Sequence, residues 1–146
     1  MAATLSPRLA AITRALPVQP DSRVLEIGCG PGAAARAIAA RLTTGHILGI
    51  DRSATTIAQA EAASAAEIAS GRMSVRQVAA EEFVLQSGEG PYDLVFAVRV
   101  GALDGRHPQA GRRVLERIAR ATTADARLFI DGGDPLRELS IPRRFD

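Results

Sequence analysis

The residues best suited to chemistry lie in one run near the start of the chain, Val24-Leu25-Glu26-Ile27-Gly28-Cys29-Gly30-Pro31-Gly32. An apolar strand runs into three glycines, and a helix follows directly from Ala33. Glycines allow the tight turn and let the backbone approach a ligand with no Cβ in the way. The helix start adds free N–H groups and a partial positive charge. This is more than a plain turn requires, and it reads as a cofactor cradle. Asp51 follows at the end of a second apolar run, Ile47 to Ile50. Its two carboxylate oxygens suit the cis-diol of a ribose. Gly28, Gly30 and Ala33 also satisfy the G-x-G-x-x-A pattern of a dinucleotide site, for which an acid at this spacing is expected. Spacing alone therefore leaves the cofactor open.

Glu26 separates the choices. It stands in the strand two residues before Gly28, close to where the loop would hold its ligand. A nicotinamide dinucleotide would bring a diphosphate there, and like charges at short range in a poorly solvated site cost several kcal/mol. S-adenosylmethionine carries an ammonium and a sulfonium, both positive, which an acid suits. A solvated carboxylate paired with Arg23 is the structural alternative, but Leu25 and Ile27 on either side favour a partly buried position.

On these residues the chain resembles the class I S-adenosylmethionine-dependent methyltransferases. VLEIGCGPG is similar to the family's motif I, in which the glycines approach the methionyl part and the acid helps hold its amino group. GIDRS, Gly49 to Ser53, resembles the segment whose acid binds both ribose hydroxyls, here Asp51, with Arg52 near the adenine edge. PYDLVFAVRV, Pro91 to Val100, resembles motif IV, the fourth strand beside the reacting methyl, with Ala97 in it. The resemblance covers roughly residues 24–131 and implies S-adenosylmethionine held by Glu26, Gly28, Cys29, Gly30, Gly32, Asp51, Arg52, Ala80, Glu81 and Ala97. It departs from the family in two places. Ala79 stands where motif II normally has an acid that meets the adenine amino group, leaving the Ala80 N–H and Glu81 for that task. After the expected fifth strand only residues 132–146 remain, so the family's C-terminal antiparallel hairpin is expected to be missing.

Displacement at a sulfonium has a good leaving group, so positioning and desolvation can supply much of the catalysis. No Asn-Pro-Pro-Tyr type segment follows the fourth strand, which disfavours the amino-directed DNA and glutamine methylating groups. Cys29, the only thiol, lies inside the cofactor loop and reads as a small packed residue, which disfavours carbon methylation of RNA through a cysteine. No catalytic base is identified. The candidates are His107 and Arg99, beside Asp104, Asp131 and Asp134, in the loops where α/β sheets place their ligands. Asp104-Gly105 reads as a turn, and His46 lies at the wrong end of its strand.

The elements that must position these groups follow from punctuation and periodicity. Ser6-Pro7 starts a helix carrying Leu9, Ile12 and Leu16, ended by Pro17. Helices are expected over 33–42, 54–70 and 108–121, with a helical turn near 81–85. Strands are expected over 24–27, 47–50, 73–78, 94–98 and 128–130. The alternation predicts a Rossmann-like, doubly wound, mostly parallel sheet of about five strands with helices on both faces. One domain over 1–146 is expected, with an N-terminal helix in 1–20 and a tail from 132. The tail is expected to fold over the hydrophobic edge of the fifth strand, or two chains to pair there as a homodimer.

Composition narrows the function classes. The net charge is +2, and all 18 basic residues are Arg. Arg112, Arg113, Arg117 and Arg120 give one helix a basic face, but with no Trp and one Tyr a base-stacking platform is disfavoured, and with it nucleic acid. No apolar run approaches the ~18 residues of a membrane span, and no hydrophobic leader segment is read at the start. One cysteine forms no intrachain disulfide, as in a cytoplasmic protein. The expectation is a methyltransferase acting on a small-molecule acceptor. The alternatives are a non-catalytic cofactor-binding or partner domain, suggested by Ala79 and the short C-terminus, and an NAD-binding domain.

Overall fold

The structure is a computed structural model and describes residues 5–143. Residues 1–4 of the expected N-terminal segment and 144–146 of the tail lie outside the described residues. Six strands of the described residues form one sheet: β1 (Arg23–Ile27), β2 (His46–Asp51), β3 (Met73–Gln77), β4 (Tyr92–Ala97), β5 (Thr122–Asp131) and β6 (Leu136–Leu139). Their order is β3-β2-β1-β4-β5-β6, parallel throughout except for β6, which runs antiparallel to β5. Among the described residues five helices connect or flank them: α1 (Pro7–Ala15), α2 (Ala33–Ala39), α3 (Ala54–Ala63), α4 (Ala65–Ala69) and α5 (Pro108–Ala121), with a 3-10 turn at Ala80–Glu82. The chain winds from β1 outward to β3, then returns to place β4 on the other side of β1. A crevice opens at such a switch point beyond the carboxyl ends of the strands.

Alternation along the strands divides the core between the two faces. Leu25, Ile27, Leu48, Ile50, Val95 and Leu128 pack with α5 residues Val114 and Ile118. Val24, Ile47, Leu94, Phe96 and Phe129 pack with Ala35 and Ile38 of α2 and with Leu16. Residue 26, two on from Val24, therefore points into the second layer. Its carboxylate is carried there by the same period that buries the valine.

Local signals set several boundaries. The Ser6 hydroxyl accepts from the Leu9 N–H at 3.1 Å and caps α1, with Pro7 at the first helical position. The helix expected over 54–70 is broken into α3 and α4 at Ser64, whose side chain is pulled into the core to bond Arg36 at 3.0 Å. The helix expected over 33–42 ends in a turn after Ala39, and the turn expected over 81–85 is the 3-10 turn at Ala80–Glu82.

The expected absence of a C-terminal antiparallel hairpin is corrected. β5 is longer than expected, and Gly132 and Gly133 return the chain into β6, which pairs Leu139 with Leu128 and Leu136 with Asp131. The four residues of β6 pair with Leu128 to Asp131, the apolar end of that edge, so the part of β5 most prone to pairing is covered by a short strand. Leu128 and Ile130 are buried, and Arg127 bonds Glu138 at 2.9 Å across the pair. Arg143 ties the tail back to the Thr123 carbonyl at 2.7 Å. The tail thus lies along β5 from Leu128 to Asp131. Among the described residues no helix is long and apolar enough to cross a membrane.

Candidate functional site

The three loop glycines have positive φ and different roles. Gly28, at φ 69°, bends the chain off β1, and a Cβ there would meet Val100 at 2.9 Å. Gly30 donates its N–H to Asp51 Oδ2 at 3.1 Å. Gly32, at φ 92°, makes room for Arg36 and Ser64, which a Cβ would approach at 3.1 and 3.2 Å. The buried Arg36 guanidinium bonds the Pro31 carbonyl at 2.9 Å as well as Ser64, and so clamps the loop to the α3–α4 break.

Asp51 ties the end of β2 to the loop. Oδ2 accepts from Gly30 and Oδ1 from the Ser53 N–H at 3.0 Å, while the Ser53 hydroxyl caps α3 through Thr56. Each carboxylate oxygen keeps a further lone pair for a ligand.

Glu26 is 3% exposed, and its Oε1 has no hydrogen-bond partner among the described residues. The Arg23 alternative is not what the fold adopts: that guanidinium bonds the Gly90 and Pro91 carbonyls instead. Burial first, and the neighbouring Asp51 second, hold the Glu26 carboxyl well above the usual carboxylate range. Burial, with Glu26 and Asp51 adding repulsion, pushes the Cys29 thiol up to about 12. A thiol held there is not a nucleophile at neutral pH.

Two cavities meet over the loop. The larger, about 590 Å³, has Asp51, Arg52, Val78, Ala80 and Glu81 on one side. Val100, Gly101, Ala102, Arg106, His107 and Ala110 line the other. The smaller, about 310 Å³, lies between α1 and the loop, with Ser6, Arg8, Leu9 and Ile12 facing Glu26 and Cys29. Gly28 and Arg99 line both. These volumes fall in the range of small-molecule sites. Arg52 bridges to Glu81 at 3.6 Å on the rim, and Arg117 Nε holds the Glu81 carbonyl at 3.0 Å.

The structure therefore brings Glu26, Gly28, Cys29, Asp51, Arg52, Ala80, Glu81, Arg99 and His107 to one connected site. Gly30 and Gly32 act from behind the loop and line neither cavity. Ala97 lines neither cavity: it is 1% exposed within the apolar core, and Val98 and Arg99 after it line the smaller one. Asp104 is spent on Arg106 at 2.8 Å. Asp131 accepts from the Arg99 N–H and from Arg8, both at 2.9 Å. Asp134 lies on the β5–β6 turn and lines neither cavity. His46 bonds the Gly71 carbonyl and Ser74 at the far end of the sheet. Sequence reasoning missed α1 as a wall of the site, and Arg36 as its clamp. Neither has a local signal, because α1 meets the loop from beyond β1 and Arg36 is held by Ser64, 28 residues away.

Fold and site together define a doubly wound α/β domain with a cofactor cradle at its switch point. Residues 24–125 match the family described as methyltransferase domain. That is well over half of the chain, which belongs to the class I S-adenosylmethionine-dependent methyltransferase family. No curated protein matches it. Among solved structures it is similar to an S-adenosylmethionine-dependent methyltransferase from Geobacter sulfurreducens in complex with S-adenosyl-L-homocysteine, at 21% identity and a TM-score of 0.66, over 87% of this chain and 48% of that one. A phosphoethanolamine N-methyltransferase from Haemonchus contortus is 25% identical with a TM-score of 0.67, over 84% of this chain and 27% of that one. The [4+2]-cyclase SpnF is 20% identical with a TM-score of 0.66, over 84% and 42%. The chain thus spans less than half the length of these three structures, and the fold it shares with them hosts more than one chemistry.

Proposed function

We propose that this domain binds S-adenosylmethionine and transfers its methyl group to a small-molecule acceptor. The observation that carries the reading is Glu26, a buried acid that lines a ligand-sized cavity and has one carboxylate oxygen with no hydrogen-bond partner among the described residues. An unpartnered buried acceptor costs about 1–3 kcal/mol, which a cationic ligand group removes. A dinucleotide diphosphate would add charge of the wrong sign, so the NAD-binding reading is disfavoured on the same ground.

The residues fit the cofactor. Glu26 would hold the ammonium, Asp51 the ribose diol, and the Ala80 N–H with Glu81 and Arg52 the adenine edge. Gly28 and Cys29 would line the methionyl part. Bound S-adenosylmethionine supplies an electrophilic methyl on a sulfonium, with a neutral thioether as leaving group. The chain's own part is to orient and to exclude water, with α1 forming one wall. His107, at the start of α5 with its side chain making no cap bond, is the candidate to take a proton from the acceptor.

Calorimetric titration with S-adenosylhomocysteine and S-adenosylmethionine, with NAD as the control, tests the reading. Micromolar binding of the first two, weakened about 100-fold or more in Asp51→Ala, is expected, equivalent to about 2.7 kcal/mol. NAD binding that survives Asp51→Ala, with neither methionine derivative bound, would replace this reading with the dinucleotide one. Absence of all binding would favour the non-catalytic partner domain.

A further inference from the structure

Four arginines line the two cavities, and three are already engaged. Arg8 bonds Asp131 at 2.9 Å, Arg106 bonds Asp104 at 2.8 Å, and Arg52 bonds Glu81 at 3.6 Å. Arg99 lines both cavities, and its guanidinium has no partner among the described residues. The acid beside it, Asp131, is spent on both oxygens: Oδ1 accepts the Arg99 N–H, and Oδ2 accepts Arg8. That N–H bond accompanies a backbone φ of 60° at Arg99, the one described non-glycine residue in the left-handed region. Side-chain-bearing residues adopt this conformation at a cost, and such strain is characteristic of ligand sites.

A second feature points the same way. α5 begins on the larger cavity, with His107 and Ala110 on its wall, and its first turn has no side-chain cap. Its positive end therefore faces the same space. In the larger cavity Arg52 is matched by Glu81 and Arg106 by Asp104, which leaves Arg99 as the lining arginine with no acid of its own.

We propose that the methyl acceptor carries an acidic group, a carboxylate or a phosphate, and that Arg99 binds it. The inference rests on the methyltransferase reading and names the substrate class of that site. A planar guanidinium with no internal acid suits either group as a bidentate donor. The cofactor's amino-acid end has a carboxylate of the same chemistry, so the test must separate the two sources.

The chain saturated with S-adenosylhomocysteine is titrated with inorganic phosphate and with acetate, alongside Arg99→Gln and Arg99→Lys. Phosphate binding in the millimolar range is expected, weakened about tenfold in Arg99→Gln and only partly regained in Arg99→Lys, which restores the charge but not the bidentate fork, with S-adenosylhomocysteine affinity and melting unchanged. Neither anion binding to the complex, or equal binding in Arg99→Gln, overturns the proposal. So does an Arg99→Gln variant that loses S-adenosylhomocysteine affinity but binds 5′-methylthioadenosine, which lacks the carboxylate, as before: Arg99 then serves the cofactor. Failure of the unsubstituted chain to bind S-adenosylhomocysteine has its own signature and overturns the cofactor reading first, and this proposal with it.

Discussion

Glu26 is held protonated more firmly in the folded chain than in the unfolded one, by burial and then by Asp51. Its contribution to stability is therefore present at low pH and is lost as pH rises from the ordinary carboxylate range through the raised value. An ammonium ligand reverses the balance by favouring the carboxylate. Binding of S-adenosylhomocysteine should thus release up to one proton below the raised value and should strengthen as pH rises. Calorimetry in buffers of different ionisation enthalpy measures that release, and it should vanish in Glu26→Gln. A second expectation concerns stability. Glu26→Leu removes a buried acceptor with no partner, so the ligand-free chain should become more stable by about 1 kcal/mol or more in urea unfolding while losing the cofactor. An unchanged affinity in that variant would mean that the cavity beside Glu26 does not take the ammonium. The same burial that raises Glu26 leaves the Cys29 thiol inert, and slow alkylation at neutral pH is its visible consequence.

At the scale of elements, the loop is held by Asp51 from β2 and by Arg36 from α2, which is anchored in turn on Ser64 at the α3–α4 break. Gly32→Ala would place a side chain at φ 92° against Arg36. A loss of about 1–2 kcal/mol is expected in urea unfolding, most of it from the left-handed backbone. A loss of a few tenths would show that the loop can shift. The N-terminal helix is latched differently, by Arg8 on Asp131, with the Arg8 side chain 54% exposed. An ion pair this solvated contributes less than about 1 kcal/mol. Arg8→Ala should therefore leave global unfolding nearly unchanged while speeding limited proteolysis within α1, and cleavage at the original rate would show that Leu9, Ile12 and Leu16 hold the helix alone.

At the scale of the whole molecule, β6 decides whether the sheet ends in an apolar edge. A chain shortened after Gly133 would expose the β5 backbone beside Phe129 and is expected to self-associate in sedimentation, where the full chain does so less. Much of the fold was legible in the sequence, because periodicity and turn residues are local: the strand–glycine–helix cradle, the alternation of strands and helices, the Ser6 cap and the spaced Asp51 all follow from neighbours in the chain. The acidity of Glu26 and its place in the loop were legible too, as was the resemblance they carry. What the sequence left open were contacts between distant residues. That Glu26 is wholly buried depends on α1 and α2 packing over β1. That Ala97 turns into the core while Arg99 reaches both cavities depends on the end of β4, where Asp131, 32 residues on, captures the Arg99 N–H. The short tail read as a missing hairpin because its length excludes two long strands, yet one strand of four residues is enough to pair with the apolar end of β5. Sequence alone determined which residues could meet a cofactor. Tertiary structure decided which of them line the cavities, because burial and the spending of each charge on a partner are set by residues far apart in the chain.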